Sequence, residues 1–501
     1  MNTQSGQGGV SIPVSPSAGL TARPDTPNQR SSSALGRAVV ADALRPLDPS
    51  AAAATETAGD WREGYLTPMR QLVEVGLPSY DGAVTVARAG LDSLHERMTF
   101  RREGRERPLA DELALDGEQP FQSVTTVGEG AAEQAFSLPY RGERLRGAAL
   151  ERQLDRWVTT GTMESSAAVA VREVMDHPEW LKAQGRRVVV IGAAAQMGPL
   201  QSLLHWGADV VALDLPGDPT WKRIREVGKR GAGRLTYPVR RAVGKGPTAP
   251  GTDLLLEVPE VTRWLAQLHG ELVLGSYVYA DGVTNLRVSM AVDALTEQLL
   301  ALRNDVELAF LATPTDVFAV PMGAVDQAGR AAGHGRLSAV RRPLQLVSGN
   351  RLLARNYPRT VALEGVPVGL HDSLVPQQGP NYALAKRLQR WRATVARDAG
   401  VNVSLNVAPP TRTRSVLKNR LLATAYAGAR AFGVEVFEPA TSNVLMAALM
   451  VHDLHRPSPG RRHPAALEMS GAVHGGLWRQ PYAPRSIIGL AVLVGLGGSR
   501  P

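Results

Sequence analysis

Residues 186–219 read RRVVVIGAAAQMGPLQSLLHWGADVVALDLPGDP, and this stretch decides the fold. Val188 to Ile191 is a short apolar run, and a Gly/Ala turn from Gly192 to Gly198 follows it. A helix is expected from about Met197 to Trp206, closed by Gly207. A second strand is expected from Asp209 to Leu215, with Asp214 near its end. Strand, turn, helix and strand within about thirty residues make half of a βαβ unit. The alternation continues downstream. TDLLLEV (252–258) reads as a possible strand and PEVTRWLAQLH (259–269) as a helix. ELVLGSYVYADG (271–282) is a strand, and VSMAVDALTEQLLALRND (288–305) an amphipathic helix. VELAFLATPTDVFAVP (306–321) is a strand with its loop. The helix 382–400 and the strand VNVSLNVAP (401–409) complete the series. Strands alternating with helices predict an α/β fold with a doubly wound parallel sheet.

Outward from this core the composition changes. Residues 1–58 are rich in Ser, Pro, Ala, Gly and Thr and are expected to form a disordered tail, since they bury too little to offset chain entropy. Residues 59–181 carry apolar side chains at 3 and 4 spacing and predict a mostly helical N-terminal region. The nucleotide-binding half of the fold is assigned to 182–321. Residues 322–373 break the alternation and read as an insertion. Residues 374–501 supply the last helix, the remaining sheet and the C-terminal part.

A chain of 501 residues exceeds what one core usually serves. Its 44% apolar and 21% charged residues are those of a globular protein. The net charge of +9 comes from scattered arginines, with aromatics at only 5%. No basic run interleaved with aromatics marks a nucleic-acid partner. The absence of cysteine excludes disulfides, thiolate metal sites and cysteine nucleophiles. The first twenty residues lack a basic stretch leading into an apolar core, so no secretory leader is expected. The longest apolar run, SIIGLAVLVGLGG (486–498), falls short of the ~20 residues of a membrane span and reads as a buried strand or helix. A cytoplasmic protein without a membrane partner is the expectation. His452 and His455 have metal-like spacing without a further ligand cluster, and no metal is expected.

The turn at Gly192, Ala193, Gln196, Met197 and Gly198 lies where small residues let phosphates approach a helix N-terminus. Methyltransferases use similar turns for S-adenosylmethionine, and that reading stays open. Asp214 is placed to accept hydrogen bonds from ribose hydroxyls and to repel a 2′-phosphate. In GPNYALAKRLQRWRATVARDAG (379–400), Tyr382 and Lys386 are four apart and leave one helix face. A free phenol ionises near pH 10, too high for acid–base work at neutrality. A fixed ammonium beside it would lower that value and let the pair move a proton at a carbinol oxygen.

With Tyr382-Ala383-Leu384-Ala385-Lys386 followed by GVNVSLNVAPPTRT (400–413), the chain resembles the short-chain dehydrogenase/reductase family over about 186–455, the insertion excepted. The resemblance implies a single Rossmann-like domain that oxidises alcohols or reduces carbonyls with NAD or NADP, NAD being favoured by Asp214. It implies Tyr382 as acid/base, with Lys386 tuning it and holding the nicotinamide ribose. The carbonyl is then polarised by Thr313, Thr315 or Ser373. The cofactor side gains Asp253, Ala280, Gly282, Pro409, Thr411 and Thr413. The departures are specific. Gln196 stands where the family's middle glycine would be, Ala280-Asp281-Gly282 replaces Asn-Ala-Gly, and Ser289 lies near the place of the family's helical Asn. A small-molecule carbonyl or alcohol substrate and a possible homo-oligomer follow. The alternative is a catalytically degenerate nucleotide-binding sensor or scaffold of the same fold.

Overall fold

The computed structural model describes residues 8–12, 31–241, 249–334, 343, 345–349, 351–458 and 461–498. Its strands in chain order begin with β1 (Gly9–Ser11), β2 (Thr99–Arg102), β3 (Arg105–Pro108), β4 (Phe121–Val127), β5 (Leu138–Tyr140) and β6 (Glu143–Leu145). Then come β7 (Arg186–Ile191), β8 (Asp209–Leu213), β9 (Arg234–Arg240), β10 (Glu271–Ser276) and β11 (Val306–Ala312). The last are β12 (Val317–Val320), β13 (Thr360–Leu363), β14 (Val366–Asp372) and β15 (Val403–Val407).

Seven strands form the main sheet in the order β15-β11-β10-β7-β8-β9-β4. Six are parallel, and β4 runs antiparallel to β9 at one edge. Central strands such as β7 and β8 are valine-rich and buried on both faces, as a parallel sheet covered on two sides requires. The order reverses between β7 and β10. The chain runs outward through β8 and β9, then returns to the other side of β7 for β10, β11 and β15. Their register sets Val189 against Leu274 and Val188 against Val210. The C-terminal ends of β7 and β10 therefore flank a crevice, the usual ligand position in open α/β sheets.

The N-terminal segment supplies α1 (Ser32–Leu44), α2 (Pro49–Glu56) and α3 (Tyr80–Arg97). Later helices that bear on the site are α4 (Ser165–Asp176), α5 (Leu200–Trp206), α6 (Leu254–Ala266), α7 (Gly282–Leu302) and α8 (Pro380–Asp398). They continue with α9 (Arg414–Lys418), α10 (Arg420–Ala429), α11 (Pro439–His455) and α12 (Pro484–Gly498). Two apolar layers result. Val189, Ile191, Leu272, Leu274, Leu308 and Phe310 face α6, α7 and α8. Val188, Val190, Val210, Ala212 and Val273 face α4, α5 and α11.

Several expectations are corrected. Residues 31–58 are not a disordered tail. Ser31 and Asp48 cap α1 and α2 by accepting from Ala34 and Ala51 N–H. Leu35, Val39, Val40 and Leu44 are buried in the main core. That apolar stripe has helical spacing, and the polar composition of the flanking stretch obscures it. Residues 8–12 include β1, which pairs with β2. The remainder of the expected tail, 1–7 and 13–30, lies outside the described residues. The run 252–258 is helical rather than a strand. Asp253 is the N-cap of α6, accepting from Leu255 N–H at 2.9 Å, and short apolar runs alone do not separate strand from helix. The region 59–181 is mostly helical, but it also donates five strands, including the edge strand β4. The expected insertion begins earlier than residue 322, because β12 (317–320) already leaves the main sheet for a three-stranded antiparallel sheet, β12-β14-β13. Its residues 335–342, 344 and 350 lie outside the described residues. The apolar C-terminal run is helix α12, and three of its large side chains are exposed. Among the described residues no helix is long and apolar enough to cross a membrane.

Candidate functional site

The turn after β7 is tightly made. Gly192 has φ +83°, and a Cβ there would lie 3.0 Å from the Tyr277 backbone, so only glycine sits there without strain. The N–H groups of Gly192 and Ala193 donate to Leu213 O (2.9 and 3.0 Å), Ala195 to Gly192 O (2.9 Å) and Gly198 to Ala195 O (3.1 Å). Ala194 N–H donates to the Asp214 carboxylate at 2.6 Å, and Leu215 N–H reaches the same carboxylate at 2.8 Å. Asp214 thus straps the turn. Burial pushes its carboxyl up, against the pull of these N–H groups and of Arg223. Helix α5 starts at Leu200, later than the expected Met197, with Pro199 as its N-cap. Met197 packs against the apolar layer. The Gln196 side-chain oxygen accepts from Arg414 N–H at 2.6 Å, which ties the turn to the start of α9.

Tyr382 and Lys386 lie one turn apart near the start of α8, as their spacing requires. Both are partly exposed in the crevice yet densely surrounded. The Tyr382 hydroxyl lies close enough to the Thr313 side chain, just past β11, for Thr313 to act on its titration. The Tyr279 ring stands edge-on to it, 6.3 Å between centroids at 66°. Burial pushes the Tyr382 hydroxyl up to about 12, which Thr313 opposes. The Lys386 ammonium donates to Gln389 Oε1 at 3.1 Å and Leu311 O at 3.4 Å. Burial pulls it down to about 8, and Asp316 opposes that fall. The lowering of the phenol that a neighbouring ammonium would cause is absent in this arrangement, because Lys386 is turned to β11 and burial dominates.

The three carbonyl-polarising candidates have different surroundings. Thr313 meets Tyr382 and lies 3.0 Å from the Thr315 hydroxyl. Gln378 donates to the Thr315 hydroxyl (2.7 Å) and carbonyl (2.9 Å). Ser373 is buried, its hydroxyl against the carbonyls of Pro314 (2.9 Å) and Asp316 (3.0 Å). It braces the Thr313–Asp316 loop from behind. A buried ion network lies underneath, unforeseen in the sequence reading. Asp316 accepts from Arg387 (2.7 Å) and Arg390 (2.8 Å), and Arg390 pairs with Glu468 at 2.6 Å. The arginines at 387, 390 and 392 on one helix were the available signal. Arg392 pairs with Asp293 at 2.8 Å, and His95 of α3 reaches that carboxylate at 2.6 Å.

The remaining cofactor-side candidates lie on the strand-end loops. Asp253 spends one oxygen capping α6, while its own N–H donates to Glu257 at 2.9 Å. Ala280 N–H donates to the buried Asn285 amide oxygen at 3.0 Å, and Gly282 opens α7 with φ +59°. Ser289 is buried within α7. After β15, the Thr411 hydroxyl lies 2.8 Å from Pro409 O and 2.7 Å from the Ser442 hydroxyl. Thr413 lies 2.8 Å from the Ser415 hydroxyl and caps α9. His455 stacks on Trp180, and among the described residues no group of three His, Cys, Asp or Glu side chains could hold a metal. A cleft of about 520 Å³ lies away from this crevice, beside α6. Its walls are closed by ion pairs such as Arg102–Glu260 (2.7 Å).

The structure therefore brings the Gly192 turn, Tyr279, Thr313, Tyr382 and the Arg412–Arg414 loop to one edge of the sheet. Ser373 lies behind that edge. Compared with protein-family models, curated proteins and solved structures, the chain matches none.

Proposed function

We propose that the chain is an NAD(P)-dependent oxidoreductase of the short-chain dehydrogenase/reductase type, built on a doubly wound Rossmann-like sheet and acting on a carbonyl or alcohol. The contact of Tyr382 with Thr313, at the C-terminal end of β11 and beside the strand-order reversal, carries this reading. Numbered by chain position, the six parallel strands run 3-2-1-4-5-6, the order associated with dinucleotide binding. The turn also suits the group. Gly192 keeps the backbone free of a Cβ, and the N–H groups of Gln196 and Met197 bond to nothing among the described residues. A bound nicotinamide supplies or accepts the hydride. Tyr382 holds or gives the proton at the substrate oxygen, and Thr313, next to Thr315, polarises that oxygen. Lys386 holds the nicotinamide ribose once it turns from Leu311. Asp214 faces the adenosine ribose and disfavours a 2′-phosphate.

A second reading keeps the nucleotide and drops the reaction. Two observations favour it: Lys386 is directed at Leu311 and Gln389, and five N–H groups of the turn bond within the protein. Turnover separates the two. The protein is expected to oxidise NADH or NADPH with some member of a carbonyl panel. Tyr382→Phe is expected to lower that rate by at least about a hundredfold with nucleotide binding kept. No turnover, or an equally active Tyr382→Phe, leaves the nucleotide-binding reading.

A further inference from the structure

Three stretches far apart in the chain contain no Asp or Glu: 327–363, 399–434 and 469–501. Together they hold fifteen of the 56 Arg and Lys residues and none of the 47 acidic ones, so the rest of the chain is net acidic. The fold gathers their described parts. Leu353, Tyr482 and Ile487 form a small apolar cluster with Phe432 and Leu490. Ala483 N–H donates to Ala354 O at 2.8 Å, and the Asn356 amide to Gln480 O at 3.1 Å. Helices α10 and α12 cross so closely that a Cβ on Gly428 would collide with the Ala491 carbonyl, and one on Gly495 with the Thr424 carbonyl.

The surface they make presents exposed apolar side chains together with exposed cations. No charged residue lies between Ile487 and Gly498. Leu493 and Leu496 of α12 are 65% and 59% exposed, and Leu417 and Leu421 emerge from α9 and α10. Leu346 and Val347, at 84% and 89%, stand on the short helical stretch that Gln345 joins to Leu353. Arg414, Lys418, Arg420, Arg430, Arg351 and Arg355 are exposed, and among the described residues none has a carboxylate partner.

We propose that this surface docks on an anionic lipid bilayer, with the leucines of α12, α9 and α10 at the headgroup boundary and the arginines and lysine on lipid phosphates. An apolar helix face together with exposed cations has the complementarity that such a surface offers. A nucleic acid would satisfy the cations but leave the leucines in water. A second copy related by a two-fold axis would press Arg414, Lys418 and Arg420 against their own kind. The proposal does not rest on the oxidoreductase reading. It does place the bilayer against the candidate site, because the Arg414 N–H at the start of α9 donates to the Gln196 side chain of the Gly192 turn at 2.6 Å.

Co-sedimentation of the full chain with vesicles tests it, using phosphatidylcholine alone and phosphatidylcholine mixed with phosphatidylglycerol. Binding is expected to the mixed vesicles, at least about tenfold tighter than to the neutral ones, and to fall as salt rises. Leu493→Asp with Leu496→Asp, and separately Lys418→Glu with Arg420→Glu, are each expected to weaken binding by at least about tenfold. Both pairs are exposed, so the melting temperature is expected to hold. Four results overturn the proposal: no vesicle binding, equal binding to both vesicle types, a dimer that Leu493→Asp dissociates, or binding to a DNA duplex that the leucine changes leave intact.

Discussion

At the scale of the residue, burial decides more than pairing does. The four-residue spacing of Tyr382 and Lys386 was readable from the sequence. The direction in which each group titrates was not, because it depends on remote neighbours, Thr313 sitting 69 positions before Tyr382 and Asp316 sitting 70 before Lys386. The same holds for Asp214. Its place at a strand end was legible, whereas its hold on Ala194 N–H needed the turn to be folded back on β8. Asp214→Ala leaves two N–H groups without their acceptor and is expected to cost about 1–3 kcal/mol, read by urea unfolding. A loss below about 0.5 kcal/mol, the usual range for a plain surface change, would mean that the strap does not stabilise the turn.

At the scale of the element, the strand–turn–helix–strand unit was legible because valine runs and a glycine turn announce it locally. Helix α1 was not, since its stripe of Leu35, Val39, Val40 and Leu44 acquires meaning only from the α3 and α8 surfaces that bury it. Those elements are also joined by charge. Burial alone would lower the His95 pKa, but hydrogen bonds and charges from Asp293 and Glu297 raise it to about 9. Arg392 of α8 binds the same Asp293 carboxylate. A raised histidine stabilises the fold fully below its unfolded value of 6.5, and that stability is lost as pH rises through about 9. Compared with His95→Gln, the wild type is therefore expected to be more stable at pH 6, by up to about 3 kcal/mol. The difference is expected to close above pH 9. Lys386 is common to both proteins, so its own titration cancels. Denaturant melts across this range read the difference, and a gap independent of pH would remove the charge from the clamp.

At the scale of the whole molecule, alternation in sequence foretold a parallel sheet. It could not foretell β4, an antiparallel edge strand donated from residues 121–127, or the separate sheet of β12, β13 and β14. The β4–β9 and β12–β14 pairings join remote segments, for which local periodicity carries no signal, whereas β13 and β14 are neighbours joined by a turn at 364–365. What the whole sheet adds is the reversal of strand order between β7 and β10, which sets the Gly192 turn beside Tyr277 and across from Thr313 and Tyr382. Calorimetric titration of NAD and NADP into the protein and into Gly192→Val tests whether that crevice is a dinucleotide site. The expected result is saturable one-to-one binding of NAD, tighter than NADP, and lost in Gly192→Val, whose side chain meets the Tyr277 backbone at a positive φ. No saturable binding of either dinucleotide to the wild type, with S-adenosylmethionine binding instead, or undiminished binding by Gly192→Val, would contradict it.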